Sequence, residues 1–259
     1  MRARAASGAL ALYLVCVGGG WARADEAAAV YHAYWAGLPA GDIRLTLRDD
    51  PSGYHNQIVI RTEGMPRWLT RFRATASSEG RAAPGSLPQP ARYEAVYDLR
   101  KAKDRRLSMR FVAGSGGLAV ERGPGDTSKK PPLAENFRRN VVDPLSAMTA
   151  IRGELRRGNR GAFTVPVYDG ARRFDVRVQV LPKHGSEPGL PLELTLAPVA
   201  GFKGETSEDG DPDDAPRPVE LTLSDDGRLM PLKMSVSVAF MPLVVELAHW
   251  CGASQPCEF

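Results

Sequence analysis

The sequence predicts a mainly β protein: a curved antiparallel sheet, as an open half-barrel or a closed barrel, built as a hairpin meander with one or two short covering helices. Three observations support this fold class. Apolar and polar residues alternate in many short segments, tight-turn sequences join several of them, and one segment alone has clear helical periodicity. Strands with one apolar face are typical of antiparallel sheets, because buried parallel strands are apolar on both faces.

The alternation is longest in residues 173–180 and 232–240, where every second residue is a large apolar one. Shorter segments with the same period are found at residues 43–47, 58–60, 107–111, 192–196 and 219–223. Asp169-Gly170 and Asp225-Asp226-Gly227 supply the positive φ angles that tight turns need. Leu38-Pro39-Ala40-Gly41 is expected to link the first two strands. Consecutive hairpins are therefore the expected connectivity.

Residues 143–157 are predicted to form the helix. Their apolar residues recur at steps of three and four, which places them on one stripe: Leu145, Met148, Ile151 and Leu155. Asp143 is suited to the N-cap, Pro144 to the first helical position, and Gly158 to the C-terminal stop. Such a helix would cover the apolar face of the sheet or close one of its ends. A second, shorter helix is expected near residues 65–72.

The first 24 residues have the composition of a secretory signal. Arg2 and Arg4 give a charged start, residues 5–20 are uncharged and mostly apolar, and Ala22-Arg23-Ala24 matches an A-x-A cleavage site. The apolar run is shorter than the roughly 20 residues of a spanning helix. We therefore expect cleavage after Ala24, leaving residues 25–259 as a single β-rich periplasmic domain.

Export also accounts for the net charge. The 259 residues include 34 basic and 30 acidic side chains, and three of the basic ones lie in the first 24 residues, which contain no acidic residue. The exported part is thus nearly neutral. A lipoprotein attached through Cys16 is an alternative, but Tyr13-Leu14-Val15 precede that cysteine where small residues are needed. No later segment is apolar for long enough to span a bilayer, so at most peripheral membrane contact is expected.

Cys251 and Cys257 are expected to form a structural disulfide, since they are the two cysteines left after export to an oxidising compartment. A redox motif would have two intervening residues, and a metal site would need further ligands, of which His249 is the only local one. Two free thiols are the remaining alternative.

Other candidate sites are weaker. Asp209, Asp211, Asp213 and Glu220 have the spacing of a calcium loop, but position six is Asp214 where the turn needs Gly, so a solvated acidic loop is favoured over weak calcium binding. Basic residues in segments 100–106 and 138–160 are interpreted as solvated charges or as contacts with anionic lipid headgroups. They lack the interleaved aromatic residues of a nucleic-acid surface, so no nucleic-acid partner is expected.

The sequence gives no enzyme signature. It contains no G-x-S-x-G, H-E-x-x-H or phosphate-binding loop, and its four histidines are not paired at ligand spacing: His32, His55, His184 and His249. No catalytic residue, cofactor or metal is predicted. A hydrolase site assembled from distant strands remains a third functional alternative.

Three segments resemble a known family. Residues 142–148, V-D-P-L-S-A-M, resemble the D-P-L-S-A segment of exported proteins in the domain of unknown function 3108 family. Residues 168–175, Y-D-G-A-R-R-F-D, are similar to its D-G-x-R-x-Y/F segment, and residues 34–38 to its opening strand. The resemblance implies a bacterial cell-envelope protein with a curved antiparallel sheet and brings no catalytic residues. Cys251 and Cys257 are not part of it.

These observations favour a non-enzymatic periplasmic envelope protein that serves as a scaffold or binds an unknown envelope partner. Binding or shielding of an apolar ligand or lipid on the concave sheet face is the alternative, because the one-sided strands outnumber those that one short helix can cover. The oligomeric state is not predicted.

Overall fold

The described residues contain thirteen strands, all in one antiparallel sheet of the computed structural model. The structure describes residues 25–62, 72–82, 85–99, 102–114, 117–183, 185, 188–202, 215–238, 241–252 and 257. The predicted signal (1–24), most of the expected second helix (65–72), His184 and the aspartates of the acidic loop lie outside these ranges.

The first seven strands are β1 (Asp25–Trp35), β2 (Leu38–Asp50), β3 (Gly53–Thr62), β4 (Arg73–Arg81), β5 (Gln89–Leu99), β6 (Ala102–Gly114) and β7 (Gly117–Arg122). A 3₁₀ turn (Glu135–Arg138) and the helix α1 (Pro144–Arg156) follow. The chain then forms β8 (Phe163–Tyr168), β9 (Arg173–Val180), β10 (Leu190–Ala200), β11 (Arg217–Leu223), β12 (Pro231–Val238) and β13 (Met241–Trp250).

The two ends of the chain meet in the middle of the sheet. The strand order is β7-β6-β5-β4-β3-β2-β1-β13-β12-β11-β10-β9-β8, so β1 pairs with β13 and the two edge strands are β7 and β8. Every other neighbouring pair is a consecutive hairpin, which confirms the predicted meander. The chain thus runs from the centre to one edge, crosses through α1 to the other edge, and returns.

The edge strands do not pair with each other, and a short segment between them bridges to both. Arg139 forms a bridge with Ala119 of β7, and Val142 forms a parallel bridge with Val167 of β8. The sheet is therefore curved without closing into a barrel, and residues 139–142 occupy the gap between its edges. Of the two predicted alternatives, the open sheet is the correct one.

The predicted strands and the helix are confirmed, with one correction. Leu38-Pro39-Ala40-Gly41 belongs to β2, and the turn lies earlier, at Ala36 and Gly37, both of which have positive φ. A turn there allows Leu38 to pair directly with Trp35. Gly41 marks a close approach instead, because a Cβ at this position would lie 2.1 Å from the carbonyl oxygen of Arg61.

The helix α1 lies in the concavity of the sheet. Its residues Ile151 and Leu155 are buried in a cluster of side chains from β8–β11. Met148 packs against a second buried cluster, formed by the central strands, and Leu145 packs against a third, formed by β3–β7. Three clusters of buried side chains therefore meet around one helix. None of the helices in the described part of the chain is long and apolar enough to cross a membrane.

Candidate functional site

A buried polar cluster fixes the start of α1 against β3 and β4. The Asp143 carboxylate accepts hydrogen bonds at 2.9 Å from the backbone N–H groups of Leu145 and Ser146, as expected for an N-cap. It also accepts a bond at 2.8 Å from the Ser78 hydroxyl of β4. The Tyr54 hydroxyl of β3 lies 2.6 Å from Ser146 Oγ. The cluster thereby ties two strands to the helix N-terminus.

Burial raises the pKa of the Asp143 carboxyl, while hydrogen bonds from Ser146, Ser78 and Leu145 act in the opposite direction. Burial also raises the pKa of the Tyr54 hydroxyl, and the nearby Asp143 charge adds to the effect. Asp143, Ser78 and Ser146 are almost completely shielded from solvent. The hydrogen bonds of the cluster thus position the start of the helix against the two strands.

At the other end of α1, Asp49 of β2 pairs with two helix cations. Its carboxylate lies 3.1 Å from Arg152 Nη2 and 2.7 Å from Arg156 Nη1. Arg152 is only 1% exposed, and its Nε donates to the carbonyl oxygen of Arg228 at 2.9 Å. Because a buried charge is costly without its partner, Asp49 holds this end of the helix in place.

No histidine was predicted as a catalytic or metal-binding residue, and the described histidines lie on three different strands. His32 Nδ1 is 2.7 Å from Asp42 Oδ1, and His55 Nδ1 is 3.8 Å from Glu79 Oε2, with both histidines exposed. His249 lies on β13. Within the described ranges, no group of three or more His, Cys, Asp or Glu side chains is arranged to hold a metal ion.

Cys251 and Cys257 are bonded in the structure, with Cα atoms 5.2 Å apart, which supports the expected pairing. The two bonded cysteines contact the first two strands. The backbone N–H of Cys251 donates to the carbonyl of Ala28 at 2.9 Å, and Arg44 donates to the carbonyl of Cys257 at 2.6 Å. The disulfide therefore fastens the chain end beside the β1–β13 pair.

Exposed apolar side chains flank the tips of two hairpins at the centre of the sheet. We call the side chains Trp35, Leu38, Val238 and Met241 the tip patch. Leu38 is 52% exposed and Met241 48%, and Val238 is also exposed. The β1–β2 and β12–β13 hairpins lie side by side because Ala36 N–H donates to the Pro242 carbonyl, and the Trp35 indole donates to the Val238 carbonyl. Three of the five exposed large apolar residues in the described ranges are thus brought together.

A cleft of about 190 Å³ opens at the same end of the sheet, beside the start of α1. We call it the rim cleft. It lies between the β8–β9 turn, the end of β10 and the start of β11. Continuing the β11–β12 register from the pair Val219 and Val236 places Arg217 beside Val238, so the cleft adjoins the tip patch.

Comparison with known proteins gives one family and one fold. A family model described as "Protein of unknown function (DUF3108)" matches residues 30–248. The chain belongs to the DUF3108 family. No curated protein matches it significantly. Its fold is similar to that of a β-barrel-like protein of domain of unknown function DUF1849 from Brucella abortus, with a TM-score of 0.57 and 13% identity over 87% of this chain and 96% of the other.

The motifs that resembled DUF3108 in the sequence converge in the structure. Pro144 of the D-P-L-S-A segment, and Asp169, Arg172 and Phe174 of the D-G-x-R-x-F segment, all line the rim cleft. The tip patch was missed from the sequence, because its residues belong to hairpins more than 200 residues apart. One available signal was that residues 33–41 and 234–245 contain no charged side chain.

Proposed function

We propose that this DUF3108 protein is a non-enzymatic, exported protein of the cell envelope that docks on a lipid bilayer through the tip patch. The observation that carries the proposal is the exposure of Leu38, Val238 and Met241 side by side at two charge-free hairpin tips. Contiguous exposed apolar surface typically marks an interaction site on a soluble protein.

The length of the charge-free strand ends fits shallow insertion. The nearest ionic or histidine side chains along β1 and β12 are His32, three residues before Trp35, and Lys233, five residues before Val238. At about 3.3 Å per residue these lie about 10 and 16 Å from the tips. Amphipathic segments at a bilayer surface bury their apolar face by roughly 5–10 Å. The tips can therefore enter the interface while His32 and Lys233 remain in water.

The size of the tip patch favours a bilayer over a protein partner. A stable protein interface buries about 800 Å² on each side and involves roughly 20–30 residues. The tip patch has four large side chains. One of them is Trp35, and tryptophan is enriched at membrane interfaces, where its ring spans apolar and polar surroundings.

The charges behind the tips are balanced. Lys233 Nζ lies 2.8 Å from Glu246 Oε1, and His32 lies beside Asp42. Docking through the tip patch should therefore depend little on anionic lipid or on salt. Docking through the basic segments 100–106 and 138–160 would depend strongly on both, because exposed charges are screened within about 10 Å at 0.1 M salt.

Flotation of the purified exported protein with phosphatidylcholine vesicles tests the proposal. We expect the wild-type protein to float and the Leu38→Asp/Met241→Asp variant to lose at least about tenfold of its binding, because each carboxylate must be desolvated to enter the interface. Val96→Asp is the matched control, since Val96 is an exposed apolar residue on β5, outside the tip patch. It should float like the wild type.

Two results would overturn the proposal. Binding that requires phosphatidylglycerol and disappears in 0.5 M salt would assign membrane contact to the basic residues. Absence of vesicle binding, combined with crosslinks to an envelope protein that the Leu38→Asp/Met241→Asp variant abolishes, would assign the tip patch to a protein partner.

A further inference from the structure

A cleft larger than the rim cleft lies at the end of the sheet opposite the tip patch, between α1, the β2–β3 turn and the β4–β5 loop. We call it the helix groove. Its volume of about 310 Å³ falls within the roughly 300–1,000 Å³ of small-molecule sites. It is lined by Thr149, Ala150 and Gly153 of α1, by Asp49 near the end of β2, and by Pro88 of the loop.

Gly153 lies inside α1, although the fold does not require a glycine there. Glycine in a helix interior is destabilising relative to alanine. A Cβ on Gly153 would meet only Arg157 Nη1, at 3.7 Å, which is an ordinary contact, and the backbone of this residue is helical. Neither packing nor backbone conformation therefore explains the glycine. What its missing side chain provides is open helix backbone in the groove.

The Asp49 carboxylate is held in place and keeps one oxygen available. Its Oδ2 lies 2.7 Å from Arg156 Nη1 and 3.1 Å from Arg152 Nη2. Arg156 is held further by its Nε, which donates to the carbonyl of Gly227 at 3.2 Å. Both cations contact the same oxygen, and no described residue donates to Asp49 Oδ1. The groove thus has a positioned acceptor beside a positioned guanidinium.

A hydroxyl donor lies on the helix side of the groove. Thr149 Oγ1 accepts a hydrogen bond from Asn56 Nδ2 at 2.8 Å. Its own O–H donates to no described residue. Because the bond from Asn56 fixes the oxygen, Thr149 can donate to a ligand without first being ordered.

The charged side chains that line the groove are already partnered. Asp49 binds Arg156, Arg157 binds Glu154, and Asp50 accepts from the N–H and the hydroxyl of Ser52. Residues 83 and 84 of the adjoining loop, which lie outside the described ranges, are Ala and Pro and add no charge. A charged ligand would therefore have to break one of these interactions, whereas a neutral one would not.

These features match a ligand with several hydroxyl groups. A hydroxyl both donates and accepts, so it can bond to a carboxylate and to a guanidinium or hydroxyl donor at the same time. The C–H face of a sugar ring can pack on Ala150, Pro88 and the open backbone at Gly153. We propose that the helix groove binds a neutral sugar, with hydroxyls bonded to Asp49 and Thr149.

Titration calorimetry of the exported protein with four small probes tests this inference. Glucose, glucosamine and glucuronate share one ring and differ in charge, and cyclohexanol has the ring size with a single hydroxyl. Glucose should bind at millimolar concentration, at least about tenfold more tightly than cyclohexanol, because its further hydroxyls add hydrogen bonds. Glucosamine and glucuronate should bind several-fold more weakly than glucose, because their charge is desolvated without a free counter-charge.

Variants at Gly153 locate the site. Gly153→Leu should abolish glucose binding by filling the groove. Gly161→Leu is the matched control, since Gly161 is exposed, lies outside the groove, and has equal space for a Cβ, 3.7 Å from Asn159 Oδ1. It should bind glucose like the wild type. Gly153→Ala should raise the melting temperature and still weaken glucose binding, which keeps the test valid if Gly153→Leu fails to fold.

Four results would overturn the inference: no binding of glucose at millimolar concentration, equal binding of cyclohexanol, tighter binding of either charged sugar, or unchanged glucose binding by both Gly153 variants. The result is independent of docking through the tip patch, because no bilayer is present. The two sites are also far apart. Leu38 and Asp49 lie near opposite ends of β2, and at about 3.3 Å per residue roughly 36 Å separates them along the strand.

Discussion

Asp143 should make the stability of the protein depend on pH in the direction opposite to that of a salt-bridged carboxylate. Its folded pKa is raised by burial, so the native state keeps the proton to a higher pH than the unfolded state. Its contribution to the free energy of unfolding is therefore greatest below the unfolded pKa, near 3.9, and falls as the pH rises from there toward the folded pKa.

We expect the free energy of unfolding of the wild type to decrease, relative to that of Asp143→Asn, as the pH increases above about 4. Urea unfolding at a series of pH values measures it, and Asn retains the N-cap because it too accepts backbone N–H bonds. A difference that grows in favour of the wild type with pH would mean that the hydrogen bonds to Asp143 outweigh its burial.

For the individual residues of α1, the sequence predicted the N-cap and part of the buried apolar stripe. Capping depends on neighbours within three residues, which the sequence contains. The burial of Arg152 was not predicted, because its partner Asp49 lies about a hundred residues earlier in the chain. The same holds for Ser146, whose hydrogen-bonding partner Tyr54 belongs to β3. Because α1 lies inside the curve of the sheet, it is buried on more than one side. The single apolar stripe in its sequence predicts burial of one side only.

The disulfide loop is expected to stabilise the element to which it is fastened, the β1–β13 pair. A closed loop of this size restricts the unfolded chain by about 2 kcal/mol on the chain-entropy model. The Cys251→Ser/Cys257→Ser variant should therefore have a free energy of unfolding lower by about that amount in urea. Reductant should lower the stability of the wild type toward the same value and leave the variant unchanged. If reductant does not affect the wild type, the two sulfurs are not bonded in solution.

Alternation predicted strands such as β9 and β12, in which a large apolar residue occupies every second position, and it did not single out β1 or β4. The inward positions of β1 include Ala27 and Ala29, and those of β4 include Ala76 and Ser78, all of them buried. These small side chains leave room for α1 inside the curve of the sheet. Alternation of alanine or serine with polar residues gives little hydrophobic contrast, so the inner face of these strands is recognisable only once the helix is in place.

For the molecule as a whole, export is the testable expectation. The first strand begins at Asp25, the residue after the proposed cleavage point. Expressed in a bacterial host with two membranes, the protein should be recovered from the periplasmic fraction with an intact mass that starts at Asp25. An Ala24→Lys variant should keep its leader, because the cleavage site needs a small residue there. Full-length protein in the cytoplasm would contradict both the export and the envelope role.

The pairing of β1 with β13 determines the order in which this protein can be completed. Trp35 and Leu243 are direct partners although more than 200 residues separate them. As the chain emerges from synthesis, β2–β7 can form successive local hairpins, but β1 has no second partner until the last strand is made. Pairings between distant segments fold slowly, and an unpaired strand edge is prone to aggregation. A nascent chain that lacks β13 therefore keeps the inner edge of each half of the sheet unpaired, so the sheet is completed only when the last strand has been made.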